Sequence, residues 1–449
     1  MRRVGFLHDI LSSVFARGEG DGAALDAGSF TDLVDALLSE RGEMSGNRLA
    51  RGVLGRFESA SAEDQLAFFE LLAGRFDINA SHALRAAESY AETPGPKQLA
   101  ILTEAVEPRR LELLRRLNRV PGGTVRLVRM RERLLTLIPA HPDLARIDLD
   151  LRHLFRAWFN RGFLVLREID WATPANILEK IIAYEAVHAI GSWTALRTRL
   201  EPEDRRCFAF FHPAMPDEPL IFVEVALTSA NPLTVGEVLR PGRPTLRLDE
   251  VDTAVFYSIS NCQKGLAGVS FGNFLIKQVA SELSREVPRI KTFRTLSPVP
   301  GFMRWVTSRL DAAESADTAS PSDADFVQSL EVARGVADSG EPVNDDEDRG
   351  RLRRLVAHYL VREKRDDGQP LDPVARFHLG NGAILDDVLP GADGFRKALE
   401  QSAGTMVSYL YDLEHVDAHH EAYAGEREVV TSGSVCALLD VRRLARRRA

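Results

Sequence analysis

Residues 253–279 read TAVFYSISNCQKGLAGVSFGNFLIKQV. Thr253 to Ser260 is a β-rich run, and Phe271, Phe274, Leu275, Val279 and Leu283 then share one helical face. The loop between them carries Gly265, Gly268 and Gly272. A buried strand that enters such a loop and leaves it as a helix belongs to an α/β sheet with a crossover connection. Glycine lets the backbone approach a ligand closely, and a first helical turn offers free N–H groups and the positive end of the dipole. That arrangement suits a pyrophosphate; tight strand–helix packing is the simpler account of the same glycines. No Gly-Lys-Ser/Thr ends the loop, so it is not a Walker loop. Gly268 and Gly272 stand four apart, so it is not a dinucleotide fingerprint either.

The same rhythm extends on both sides. Upstream, Cys207–Phe211 and Leu220–Thr228 (LIFVEVALT) read as neighbouring strands joined by the polar turn Met215-Pro216-Asp217-Glu218-Pro219, with a shorter apolar run at Phe163–Leu166. Downstream, Thr292–Leu296 is extended and closes at Ser297-Pro298-Val299-Pro300-Gly301. Residues 311–349 are acidic and poor in large apolar groups; they read as a partly mobile insertion with at most a short helix near Phe326–Val332. Residues 1–150 instead show helical spacing. Ser61-x-x-Asp64 opens a run bearing Leu66, Phe69, Ala73 and Phe76, and Leu111, Leu114 and Leu117 mark a helix that stops at Pro121-Gly122-Gly123. Val128, Leu134, Leu135 and Ile138 mark a third, ending before Pro139. The expected architecture is an all-helical domain over 1–150 and a mixed α/β domain over 151–449. No chemistry is visible in the helical half.

At 449 residues, 45% of them hydrophobic, the chain is long enough for two domains of the usual size. Net charge is −8 with both signs interspersed, which argues against a nucleic-acid binder; the one basic run, Arg442 to Arg448, reads as a charged terminus. No apolar stretch reaches the ~18 residues of a membrane span. The start MRRVGFLHDILSSVFARGEGDG is broken by Asp9 and lacks a small-residue cleavage site, so it reads as an amphipathic helix rather than a signal peptide. Three scattered cysteines, Cys207, Cys262 and Cys436, fit neither a disulfide framework nor a zinc ribbon, and point to a reducing cytoplasm.

Two further segments carry candidate chemistry. In LSPVPGF, Ser297 sits at a strand end between prolines, where open α/β sheets place ligands; a plain Ser-Pro turn is the bland reading. In DPVARFHLGNGA, His378 precedes a Gly-Asn-Gly turn, and a structural histidine is the commoner outcome there. Glu414, His415, Asp417, His419, His420 and Glu421 cluster as metal ligands sometimes do, yet read better as a solvated polar face. Cys262 lacks an evident activating partner and reads as a small buried residue.

Taken in order, GFLVLREIDW, IAYEAVHAIGSW, EPLIFVEVALT, FYSISNCQKGLAGVSFGNFLIK, LSPVPGF and FHL before NGA resemble malonyl-CoA decarboxylases, from about Gly162 to Tyr411. The resemblance implies a helical oligomerisation domain joined to a catalytic domain of the acetyltransferase-like (GNAT) fold, a homo-oligomer (dimer or tetramer), malonyl-CoA as substrate and no cofactor or metal. Its catalytic serine and histidine fall on Ser297 and His378. Its acyl-CoA loop falls on Ala267, Gly268, Val269, Ser270, Phe271, Gly272 and Asn273, and a site-closing tyrosine on Tyr411. Ser270 stands where ordinary acetyltransferases carry a glycine, a departure in how the pyrophosphate is held. Asn381 is a candidate partner beside the histidine.

The chemistry is self-consistent. Loss of carbon dioxide from a malonyl thioester leaves an enolate whose electron sink is the thioester carbonyl. The protein has to stabilise charge on that oxygen and protonate the new carbanion, His378 as donor and Ser297 holding the carboxylate or relaying the proton. An N-acyltransferase using Glu224 as base is the nearest rival, although a strand glutamate there reads as surface. A non-catalytic acyl-CoA sensor is the other.

Overall fold

The computed structural model describes residues 29–39, 43–269, 275–314 and 321–439. They form two compact units: the described residues up to Trp158 together with Lys264–Val269, and Phe159–Gln263 together with the described residues from Leu275 on. The boundary expected near residue 150 lies inside helix Ala145–Trp158, whose buried Ile147, Leu151, Leu154 and Phe155 carry one apolar face across it. The opening 22 residues and the basic tail lie outside the described residues.

The first unit is helical: Phe30–Leu38, Glu43–Ser59, Ala62–Gly74, Ala80–Glu92, Pro96–Ala105, Arg109–Asn118, Gly123–Leu137 and Ala145–Trp158. Local chemistry sets the starts. Ser61 Oγ accepts the Asp64 N–H at 3.1 Å, and Ser29 and Asp32 cap one another reciprocally, each such cap contributing about 1 kcal/mol. Apolar stripes make the rest. Phe57, Phe68 and Phe69 meet in one place, and Leu72, Leu113, Leu114, Leu117, Leu127 and Leu134 are fully covered.

The second unit is built on one mixed sheet, with strands β1 Val165–Glu168, β2 Arg205–Phe211, β3 Ile221–Thr228, β4 Thr253–Asn261, β5 Thr292–Thr295, β6 Ser297–Pro298, β7 Ile384–Leu389 and β8 Met406–Leu410. The order is β1-β2-β3-β4-β5-β8-β6, with β7 also on β8. β4 and β5 run parallel, joined by helix Leu275–Glu286; the remaining pairs are antiparallel. This is the mixed sheet with a crossover connection that the sequence implied. β3 is apolar and buried on both faces, which is why LIFVEVALT reads as a near-continuous run rather than an alternation.

The acidic stretch is more ordered than expected. Helix Pro321–Ser339 replaces the short helix foreseen near Phe326–Val332. Leu330, Ala333 and Val336 are buried, with Phe326 packed beside them. Their spacing is helical, but two of the four are small, so the stripe is faint in sequence. Asp346, Glu347 and Asp348 occupy the first turn of helix Asp346–Arg362, and Asp345 caps it. Negative charge there complements the positive helix end.

Candidate active site

The sheet itself creates the site. β4 pairs with β5 only as far as Phe256 opposite Thr295, and the Leu296 N–H still reaches the Phe256 carbonyl at 2.9 Å. Beyond that point the chain after β5 turns away to pair with β8 as β6, so the carboxyl ends of two parallel strands diverge. A β-bulge between β3 and β4 lies at the same place, where Glu224 faces Ser258 and Val225 faces Phe256, leaving Tyr257 as the extra residue. Diverging carboxyl ends of parallel strands are where open α/β sheets bind ligands.

Ser297 stands at this divergence, 4% exposed. Its Oγ lies 2.9 Å from Nε2 of His378 and donates to Thr295 Oγ1 at 2.8 Å. Thr295 is held in turn, because its Oγ1 accepts the Tyr409 N–H at 3.1 Å. On the far side of the imidazole, Nδ1 lies 2.8 Å from the Tyr411 hydroxyl. The ring is stacked on Tyr409 with centroids 4.4 Å apart. Thr295 of β5, Ser297 of β6, His378 of helix Pro373–Gly380 and Tyr411 just after β8 thus form one line of hydrogen bonds.

The helix that carries His378 is placed with care. Asp372 caps it, accepting the Val374 and Ala375 N–H groups at 2.9 and 3.0 Å. Its second oxygen accepts the Gly301 N–H at 3.3 Å, which ties LSPVPGF to FHLGNGA. Gly301 has to be glycine here, since a Cβ would sit 2.4 Å from the Tyr359 hydroxyl. After the helix, Gly382 adopts φ +79° with the Val416 carbonyl 2.0 Å from where a Cβ would be, so position 382 of the Gly-Asn-Gly turn admits no side chain.

Burial sets the electrostatics. His378 is wholly enclosed, and desolvation lowers its pKa to about 3, so the ring is neutral at physiological pH. With Ser297 donating to Thr295, its Oγ accepts from Nε2–H, and the bare Nδ1 then accepts the Tyr411 O–H. Burial holds the Tyr411 phenol well above its usual range. Asp372 is raised by burial, against the pull of its three backbone N–H donors.

The other candidates fall as follows. Ala267, Gly268 and Val269 are placed, Gly268 with φ +72°, whereas Ser270, Phe271, Gly272 and Asn273 lie outside the described residues. Asn381 does not meet the imidazole: its Nδ2 donates to the Phe377 carbonyl at 2.7 Å and ends the helix, while its Oδ1 is buried without a partner. Glu224 is not a surface residue. It is fully buried, held by Arg199 at 2.9 Å, and desolvation raises its pKa to about 8. Cys262 is buried and its thiol is pushed up by desolvation. His415 and His419 stack at 6.2 Å, and no group of three or more metal-ligating side chains is assembled among the described residues. Thr295 and Tyr409 went unread as site residues in the sequence, though each stands two residues before a candidate, the spacing at which extended chain returns a side chain to the same face.

Comparison with known proteins follows this geometry. The model of the malonyl-CoA decarboxylase C-terminal domain matches residues 162–448, and that of the N-terminal domain residues 76–159. The chain belongs to the malonyl-CoA decarboxylase family. Mouse mitochondrial malonyl-CoA decarboxylase is 34% identical over 358 residues, covering 75% of this chain and 72% of its own. The crystal structure of malonyl-CoA decarboxylase from Rhodopseudomonas palustris is 47% identical with a TM-score of 0.83, covering 90% of this chain and 98% of that one. That from Agrobacterium vitis is 48% identical with a TM-score of 0.83, covering 92% and 99%. The family's C-terminal domain thus spans Ser297, His378 and Tyr411.

Proposed function

We propose that the chain decarboxylates malonyl-CoA to acetyl-CoA and carbon dioxide, with Ser297 and His378 carrying the reaction. The buried 2.9 Å Ser297–His378 pair at the strand divergence carries this reading. As the carbon–carbon bond breaks, its electron pair moves into the thioester carbonyl and the enolate forms. Each donor aimed at that oxygen is worth roughly 3–4 kcal/mol, and a positioned acid about a hundred- to ten-thousandfold in rate. The enolate carbon is a far stronger base than an imidazolate, so a neutral imidazole suffices as acid. Ser297 hands its proton to the carbon and takes the Nε2 proton in exchange. The Tyr411 hydroxyl passes its proton to Nδ1 as Nε2 gives its own up, so the ring stays neutral and the charge rests on the Tyr411 phenolate until it is reprotonated. Solvent restores one proton per turnover.

Asn381 shapes the turn behind His378 rather than touching it, and residues 267–273 hold the CoA moiety. The chain works in the cytoplasm and self-associates through its helical unit, where Ile78, Leu84, Leu99, Ile101 and Val106 are exposed; a monomeric mass at micromolar concentration would remove the second statement. The deciding assay is EDTA-treated protein with malonyl-CoA and no amine. Stoichiometric acetyl-CoA and carbon dioxide are expected. Malonyl-CoA that survives, with acyl transfer appearing once an amine is added, would overturn the reading in favour of an acyltransferase.

A further inference from the structure

The motif IAYEAVHAIGSW takes no part in the Ser297–His378 line, yet it builds a second polar cluster within the sheet-bearing unit. Glu185 fastens this segment to β4 just beyond the strand divergence. Its Oε1 accepts the Val187 and His188 N–H groups, each at 2.8 Å, and its carboxylate accepts the Ser258 hydroxyl at 2.8 Å. The Ala186 N–H donates to Ser260 Oγ at 3.2 Å. Arg199 ties the segment to β3, donating from Nη2 to the His188 carbonyl at 2.8 Å and from Nη1 to Glu224 at 2.9 Å. Lys397 donates to the Ala186 carbonyl, and Asp393 stands 3.8 Å from His188 Nδ1.

Three polar atoms of this cluster are enclosed with nothing bonded to them: His188 Nε2, Glu224 Oε1 and the Tyr257 hydroxyl. Their residues are 4%, 0% and 1% exposed. Buried polar groups are otherwise paired, so three orphans together call for an occupant. Glu224 and Ser258 are cross-strand partners and share a face. Tyr257 is the extra residue of the bulge beside them, a device that re-aims a side chain, and the Glu224 and Arg199 charges both act on its phenol.

All three groups can donate at once. Burial holds the Tyr257 phenol well above its usual range, and desolvation raises Glu224 to about 8, so both keep a proton at neutral pH. His188 is neutral, burial lowering its pKa to about 4. At 3.8 Å Asp393 makes no hydrogen bond that would fix the tautomer, so Nε2 can carry the proton. Donors backed by a guanidinium disfavour a cation and match a group that only accepts, a carboxylate.

The cluster also lies at the catalytic end of the sheet. Phe256, one residue before Tyr257, sets its ring against Tyr411 with centroids 6.3 Å apart. Leu296, one residue before Ser297, packs in the same apolar group as Tyr257. Ser297 is occupied with the proton, so the carboxylate that the reaction removes needs donors of its own. We propose that Tyr257, Glu224 and His188 form a subsite that receives the free carboxylate of the malonyl group. This rests on the reading of malonyl-CoA as substrate.

The test uses the Ser297→Ala variant, which holds malonyl-CoA without turnover, and titrates it calorimetrically with malonyl-CoA and with acetyl-CoA, which lacks only the carboxylate. Adding Tyr257→Phe is expected to raise the Kd for malonyl-CoA about tenfold, the loss of one hydrogen bond to a charged group. The Kd for acetyl-CoA should change less than about twofold. His188→Phe, which fills the space without the donor, should show the same contrast and gives an independent reading if the first variant does not fold. Equal losses for both esters would make the cluster structural, and no loss would leave it holding water only; either result overturns the proposal. The premise is tested apart. Wild-type protein that binds malonyl-CoA without releasing carbon dioxide would sink the decarboxylase reading, while a penalty confined to malonyl-CoA would still establish the subsite.

Discussion

Ser297, His378 and Tyr411 come from three separate elements, yet they meet at 2.9 and 2.8 Å. Because the line is enclosed, each member's loss is felt by the next. Ser297→Ala and His378→Asn should each lower kcat by about two orders of magnitude or more while circular dichroism stays native. Thr295→Val, nearly the same shape without the hydroxyl, should cost about tenfold, the worth of one hydrogen bond, and Thr295→Ser should restore it. A wild-type rate for His378→Asn would remove the ring from the chemistry. The buried ring also predicts a pH effect on stability. The folded pKa is lowered to about 3 by burial against the ordinary histidine value of 6.5, so the unfolded chain binds a proton in that window that the folded chain refuses. Stability from this group is intact above 6.5 and is lost as pH falls toward 3, amounting to about 2 kcal/mol at pH 5. His378→Asn should therefore show a smaller drop in Tm between pH 7.5 and pH 5 than the wild type.

At the scale of elements, the site depends on where one short helix starts. Asp372 caps Pro373–Gly380 and reaches back to Gly301, so a single buried carboxylate aligns the segments bearing Ser297 and His378. Asp372→Ala should cost about 1–2 kcal/mol as a lost cap, read as a lower urea midpoint, and should depress kcat as well because the imidazole shifts. A stability loss with full kcat would mean the cap does not set the ring. The strands were legible because apolar and β-branched runs break at turn residues, as LIFVEVALT and TAVFYSIS do. Helix Pro321–Ser339 was not, because its apolar stripe is short, with Ala333 and Val336 beside Leu330 and Phe326, and its neighbour's capping acids resemble a solvated linker.

For the whole molecule, residues 264–269 pack with the helical unit, and Gly265 is the point of closest approach to helix Gly123–Leu137. Gly265→Ala leaves every charge in place but sets a methyl 1.9 Å from the Val128 carbonyl. It should raise the Kd for CoA severalfold and lower Tm, since backbone cannot give way as a side-chain tip can. Unchanged CoA affinity would show that the loop's height over the helices is immaterial. This link was not legible in the sequence, because Arg131 and Gly265 are far apart along the chain and Arg131 belongs to no recognisable motif.

The sequence by itself determined the two-part architecture, the order of most strands, and the family, together with Ser297, His378 and Tyr411 as the residues to examine. These follow from local rules: periodicity, turn chemistry, and short motifs kept in order. Only the tertiary structure decided that Thr295 and Tyr409 brace the pair, that Glu224 is buried on Arg199 instead of facing solvent, that Asn381 caps a helix, and that Arg131 holds the Gly265 carbonyl. Each of those depends on which distant segments the sheet and helices bring together, and burial, unlike periodicity, is a property of the neighbours a residue acquires on folding.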